Sequence, residues 1–123
     1  MLTKVEASEW SFPSFAIPKK NDTIRFVTDF RVLNFLLRRK PYPLPLISEI
    51  LHSLGQFRFA TCIDLNMGYY SMKLDKEARR RCVTVLPWGL YAYNMLPVGI
   101  KVASDVFQES MGELFDDMEE VIV

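Results

Sequence analysis

The chain has 123 residues, half of them apolar, and its 15 basic and 15 acidic side chains leave no net charge. That length supports one modest core, so one domain or a piece of one is expected, and the neutral balance excludes a globally basic nucleic-acid binder. No apolar run approaches the roughly 20 residues that span a bilayer, and Met1 to Trp10 lacks the basic start and apolar stretch of a signal peptide, which points to an intracellular, cytoplasmic protein without a membrane partner.

The charge is unevenly distributed. Residues 19–40 carry seven basic side chains against two acids, whereas residues 105–123 carry seven acids and no base. A dipolar chain of this kind can present a phosphate-binding face, although charge alone fits solvated loops and a solvated helix face better.

In chain order, residues 14–18 and 24–28 read as two short strands joined by Lys19-Lys20-Asn21-Asp22-Thr23, a polar turn with Asn-Asp at its tip. Cations at such a bend, with Arg25 just beyond, suit a triphosphate, because Arg offers a planar fork to phosphate oxygens and Lys a compact charge. Asp29 is placed to cap a short helical turn, and the basic trio Arg38-Arg39-Lys40 ends this part. The prolines of Pro41-Tyr42-Pro43-Leu44-Pro45 exclude helix interior and central strand and predict an extended connector. Ile47, Ile50, Leu51 and Leu54 fall at i, i+3, i+4 and i+7, one face of a short helix that Gly55 ends. His52, the only histidine, lies off that face without a ligand partner and reads as a surface residue.

Residues 59–63 form an uncharged apolar, β-branched and aromatic run, the pattern of a buried strand, with Asp64 at its end. A lone carboxylate there is costly unless paired. A divalent cation is a common partner, and a strand-ending Asp in a turn is the plainer alternative. Gly68 permits a tight turn before Tyr69 and Tyr70. Cys62, inside this run, and Cys82, inside another, show no metal-ligand spacing and are expected in the core.

Residues 75–81 are charged, with Arg79-Arg80-Arg81 a second basic cluster. Residues 82–86 and 90–96 read as strands about Pro87-Trp88-Gly89, closed by Pro97-Val98-Gly99. Ser104 is expected to cap a helix whose core-facing stripe is Phe107, Met111, Leu114, Phe115 and Met118, with Asp105, Glu109, Glu113 and Asp116 on the opposite side. Residues 121–123 begin another apolar, β-branched run. The sequence holds no internal repeat, Gly-rich phosphate loop, zinc pattern or Ser-His-Asp order.

Together these stretches resemble the fingers and palm of a reverse transcriptase, most closely that of gypsy-type long-terminal-repeat retrotransposons. The landmarks are Trp10 with Pro13, Ile17-Pro18-Lys19-Lys20, Arg25-Phe26-Val27-Thr28-Asp29-Phe30-Arg31-Val32-Leu33-Asn34, Tyr42-Pro43-Leu44-Pro45, Asp64-Leu65-Asn66-Met67-Gly68-Tyr69, Leu96-Pro97-Val98-Gly99 and Phe107-Gln108-Glu109-Ser110-Met111. The resemblance implies an α+β fold, the partial fingers and palm of a right-hand polymerase, with an antiparallel palm sheet packed on helices. Residues 1–123 would form one partial reverse transcriptase domain, without thumb, connection or ribonuclease H regions.

It also implies an RNA-directed DNA polymerase, a nucleotidyltransferase that adds deoxynucleotides to a primer 3′-end on an RNA or DNA template. Two Mg2+ ions about 3.5–4 Å apart serve that reaction. Asp64 would be the catalytic first palm carboxylate and a metal ligand, with the Leu65 carbonyl as a further hard oxygen. Lys20 and Arg25 would meet the triphosphate, Tyr69 would lie beneath the sugar and select deoxynucleotides, and Val98 and Gly99 would border the nucleotide pocket. Lys19, Arg38, Arg39 and Lys40 would meet template and primer phosphates.

The family's other two carboxylates come from a Tyr-x-Asp-Asp hairpin directly after the strand matching residues 121–123; Asp116-Asp117 falls within the predicted helix and too early to replace it. Residues 1–123 alone are therefore expected not to extend a primer. The alternative reading is a non-catalytic nucleic-acid-binding remnant of a retrotransposon. Two departures from the family pattern stand out, Val102-Ala103-Ser104 where Asn-Ala-Pro is common and Asn21-Asp22 where the turn usually carries Gly.

Overall fold

The Asn-Asp turn closes the first hairpin. In the computed structural model, which describes residues 1–53, 55, 58–118 and 121–122, Asp22 takes a φ of 56° and the Lys19 N–H donates to the Thr23 carbonyl at 2.7 Å. Asp tolerates this left-handed backbone better than most residues. The turn joins β2 (Phe12–Pro18) to β3 (Ile24–Thr28) in antiparallel register, with Ala16 opposite Phe26. A second hairpin joins β4 (Val83–Leu86) to β5 (Gly89–Tyr93), and β1 (Leu2–Val5) lies along the outer edge of β5.

The five strands run in the order β1-β5-β4-β2-β3. The sheet is mixed rather than antiparallel throughout, because β2 and β4 pair in parallel through Phe12 with Thr84 and Pro13 with Val85. A parallel pair needs a long crossover, which the chain between Pro18 and Val83 supplies. Sequence reasoning missed β1, whose Leu2 and Val5 are too few to make a pattern.

One core fills the space between this sheet and its helices. Phe30 is 2% exposed, and its ring meets Phe12 at 5.3 Å and Tyr93 at 5.9 Å, both edge-on. Leu33, Cys82, Leu96, Ile100 and Ala103 complete the cluster. Three strands are joined by buried hydroxyls: Thr28 Oγ1 lies 3.0 Å from Thr84 Oγ1 and 2.9 Å from the Tyr93 hydroxyl. Every member is satisfied, so the buried polarity carries little penalty.

The helices follow their local signals with small shifts. Asp29 accepts the Arg31 N–H at 3.1 Å and forks its guanidinium, while the cap position of α1 (Arg31–Leu36) is Phe30. The guanidinium hydrogen bond holds the Asp29 carboxyl below the usual carboxylate range. The predicted short helix appears as α2 (Ile47–Ser53); Leu54 lies outside the described residues, and Gly55 follows with a φ of 54°. The charged stretch forms α3 (Lys76–Arg81), capped by Asp75, which accepts the Ala78 N–H at 2.7 Å. An Asp before a run ending in three arginines is a helix signal in its own right, acid at the start and cations at the last turn. The cap position of α4 (Ala103–Phe115) is Val102, so Ser104 sits inside the first turn instead of capping it.

Two expected strands are not formed. Residues 59–63 are irregular and exposed, Phe59 at 92% and Ile63 at 80%, and residues 121–122 are also irregular, with Val123 outside the described residues. A strand exists only with an inter-strand partner; among the described residues no strand pairs with either run. The predicted stripe is likewise only partly covered, since Leu114 is exposed, and α4 ends at Phe115, so Met118, also exposed, lies beyond the helix.

Cys62, expected in the core, is exposed with its run, whereas Cys82 is buried as expected. Burial pushes the Cys82 thiol up to about 11. The thiolate is the reactive form. A disulfide reagent at pH 8 should therefore titrate one thiol in the folded protein and two in denaturant; two fast thiols under native conditions would contradict the burial of Cys82.

Candidate nucleotide and template-primer site

The hairpin between β2 and β3 carries Lys19, Lys20 and Arg25, all exposed, with Arg25 opposite Ile17 in the ladder. Phe15, Ile17, Ile24 and Phe26 are exposed as well, so the outer part of the hairpin is open on both faces.

Val98 and Gly99 form a turn that is held at two points. Gly99 takes a φ of 99°, a region that side chains rarely enter. The Asn34 amide Nδ2 donates to the Gly99 carbonyl at 2.7 Å, and its Oδ1 accepts the Lys101 N–H at 2.7 Å. Asn34 belongs to the motif that carries the resemblance, but its spacing gave it no role. Its partners lie 65 and 67 residues away, beyond any local pattern. Tyr70 backs the same turn: burial raises its phenol pKa, and a hydrogen bond with the Val98 backbone works against that rise.

Tyr69 sits in a 3-10 turn (Gly68–Ser71) entered through Met67 at a φ of 57°. Its ring meets Phe107 of α4 edge-on at 5.2 Å. Gly68 serves close approach here, because a Cβ at that position would stand 2.9 Å from Phe107 Cζ, while the left-handed turning angle falls on Met67. The helix thus aims the tyrosine.

Asp64 and Leu65 lie just before this turn on an exposed, irregular segment, not at the end of a buried strand. Among the described residues no three His, Cys, Asp or Glu side chains gather into a metal cluster. A carboxylate and a main-chain carbonyl are nevertheless hard oxygen donors of the type magnesium takes, and magnesium usually keeps several waters. The donor set therefore fits one such ion in chemistry.

The basic trio is divided. Arg38 is exposed. Arg39 forks Asp105, with Nε at 2.7 Å and Nη2 at 3.0 Å from the two oxygens, and the Tyr42 N–H donates to the same carboxylate at 3.2 Å. Lys40 reaches Glu109 at 3.4 Å, and a Cβ at Gly112 would stand 2.8 Å from the Tyr42 hydroxyl. Residues 105, 109 and 112 fall at i, i+4 and i+7, one face of α4. The connector is therefore strapped along a face that sequence reasoning assigned to solvent, and Asp105 is 2% exposed instead. Hydrogen bonding from Arg39 lowers the Asp105 pKa; burial opposes that shift and the Tyr42 N–H assists it.

Solved reverse transcriptases share this fold. The crystal structure of prototype foamy virus protease–reverse transcriptase aligns with a TM-score of 0.86 at 21% identity, over 99% of this chain and 16% of that one. The foamy viral protease–reverse transcriptase in complex with dsDNA aligns at 0.88 and 20%, over 99% of this chain and 25% of that one. The architecture is thus the α+β fingers and palm of a reverse transcriptase.

A family model for reverse transcriptase (RNA-dependent DNA polymerase) matches residues 17–123, and the chain belongs to that family. Its relatives include the retrovirus-related Pol polyproteins from the Drosophila melanogaster transposons 412, 31% identical over 96% of this chain, and gypsy, 33% identical over 92%. The chain spans 10% and 12% of those two polyproteins. Among the described residues no helix is long and apolar enough to cross a membrane.

Proposed function

We propose that residues 1–123 act as one partial reverse transcriptase domain, fingers and part of the palm, in RNA-directed DNA synthesis from deoxynucleoside triphosphates. The observation that carries this reading is the family match over residues 17–123, which contains every candidate site residue. Lys20 and Arg25 bind the triphosphate from the open hairpin, while Val98 and Gly99, held by Asn34, border the nucleotide. Tyr69, braced on Phe107, lies under the sugar and excludes a 2′-hydroxyl. Asp64 and the Leu65 carbonyl would hold Mg2+, which when bound stabilises charge on the attacking and leaving oxygens.

Lys19 and Arg38 contact template and primer phosphates, whereas Arg39 and Lys40 serve this surface by fixing the connector to α4. Such contacts release counterions, so affinity falls with salt. Fluorescence anisotropy with a labelled primer-template across a salt series should give a linear log–log plot, and Lys19→Ala with Arg38→Ala should weaken binding and flatten the slope by about 2. A protein that fails to bind at low salt would not support this assignment.

A further inference from the structure

A second cleft lies away from every residue assigned above. It is an open cavity of about 500 Å3 between the loop after β1 and helix α3, with Trp10, Val83, Lys76, Arg79, Arg80 and Glu9 on its walls. Ser8 ties the two sides together: its hydroxyl accepts the Trp10 N–H at 3.1 Å and lies 3.5 Å from the Arg80 carbonyl of α3. The walls therefore belong to the folded sheet and its helix. Three cations face one acid there. Arg80 already pairs with Glu77 at 3.2 Å, but among the described residues neither Lys76 nor the half-buried Arg79 has a carboxylate partner. Cations at the end of α3 also complement its dipole; that accounts for their sign but not for an unpaired guanidinium in a cleft shared with an indole.

The geometry points to a binding site for a single-stranded nucleic-acid segment, with one base against the Trp10 indole and its phosphate on Arg79 and Lys76. Indole faces accept any base, guanidinium and ammonium groups take the backbone, and the cavity is of a size that holds a small ligand. The site is distinct from the hairpin. Val5, Val83 and Ala92 of the cleft belong to β1, β4 and β5, and β1 and β3 are the two edges of the sheet. Four strand spacings of about 4.8 Å separate those edges by roughly 19 Å. A strand lying across the sheet would engage the hairpin at one edge and this cleft at the other.

The test uses Trp88→Phe, which removes an exposed indole and leaves Trp10 as the sole tryptophan emitter. Oligo(U) and oligo(dT) 12-mers should quench Trp10 saturably at 50 mM salt. Lys76→Gln with Arg79→Gln should weaken that binding at least tenfold and flatten the salt slope by about 1.4, the single-strand value for two lost contacts. Lys19→Ala with Lys20→Ala should leave the Trp10 quench in place even where primer-template affinity falls, so the two assignments fail separately. Far-UV circular dichroism checks that each variant is folded, and Arg79→Lys, which keeps the charge, should retain most of the quench. Absence of quench, quench insensitive to the double Gln variant, equal loss in the hairpin variant, or UMP binding as tightly as the 12-mers would each overturn the proposal.

Discussion

Replacing Phe30 with alanine is expected to cost about 3–5 kcal/mol of unfolding free energy, the usual range for removing a buried phenylalanine. The ring is 2% exposed, takes the edges of Phe12 and Tyr93, and stands at the start of α1. It also underlies the Gly99 turn, since a Cβ on Gly99 would lie 4.0 Å from Phe30 Cδ2. A domain holds about 5–15 kcal/mol in total, so the loss approaches the whole margin. Urea denaturation should show a lower midpoint with an unchanged slope. The internal control is Phe35→Ala at a site 89% exposed, where the change should stay within about 0.5 kcal/mol. Similar costs at the two sites would mean that the core does not close on Phe30.

The second large effect concerns chemistry. In a chimaera in which residues 1–123 replace the matched segment of the gypsy Pol polyprotein, Asp64→Asn should reduce deoxynucleotide incorporation at least 100-fold. Changes to groups that merely orient a metal ligand already cost about 10–100-fold, and loss of a charged ligand itself should exceed that. Primer-template affinity should move less than threefold, because Asp64 donates nothing to phosphates. Undiminished incorporation would remove Asp64 from the metal site, whereas a chimaera that binds primer-template but incorporates nothing even with Asp64 intact would favour the non-catalytic binding reading.

The two hairpins were legible because they are local. Alternating apolar residues flank Asn-Asp in one case and Pro-Trp-Gly in the other, and both turns form where those residues stand. Residues 59–63 were misread because burial of a strand is conferred by its neighbours; an apolar, uncharged run states a preference that only a paired ladder can realise. Asp105 was misread for the converse reason. Helical periodicity groups it with Glu109 and Glu113 as an acidic side, but it cannot reveal that a guanidinium 66 residues earlier comes to rest there. The candidate site divides in the same way. Its named residues were legible through the resemblance, whereas Asn34, Phe107 and Gly112, which aim or brace them, act on partners far off in sequence.

That separation imposes an order on the chain's birth. Asn34 awaits Lys101, and Arg39 awaits Asp105, across intervals of 67 and 66 residues. At about 5–20 residues per second, a ribosome needs roughly 3–13 seconds to supply the missing partner. The β2–β3 hairpin can close in microseconds. During synthesis the basic segment therefore waits beside a finished hairpin, uncompensated by the acids that later secure it, and for those seconds its arginines are open to whatever polyanion is nearest.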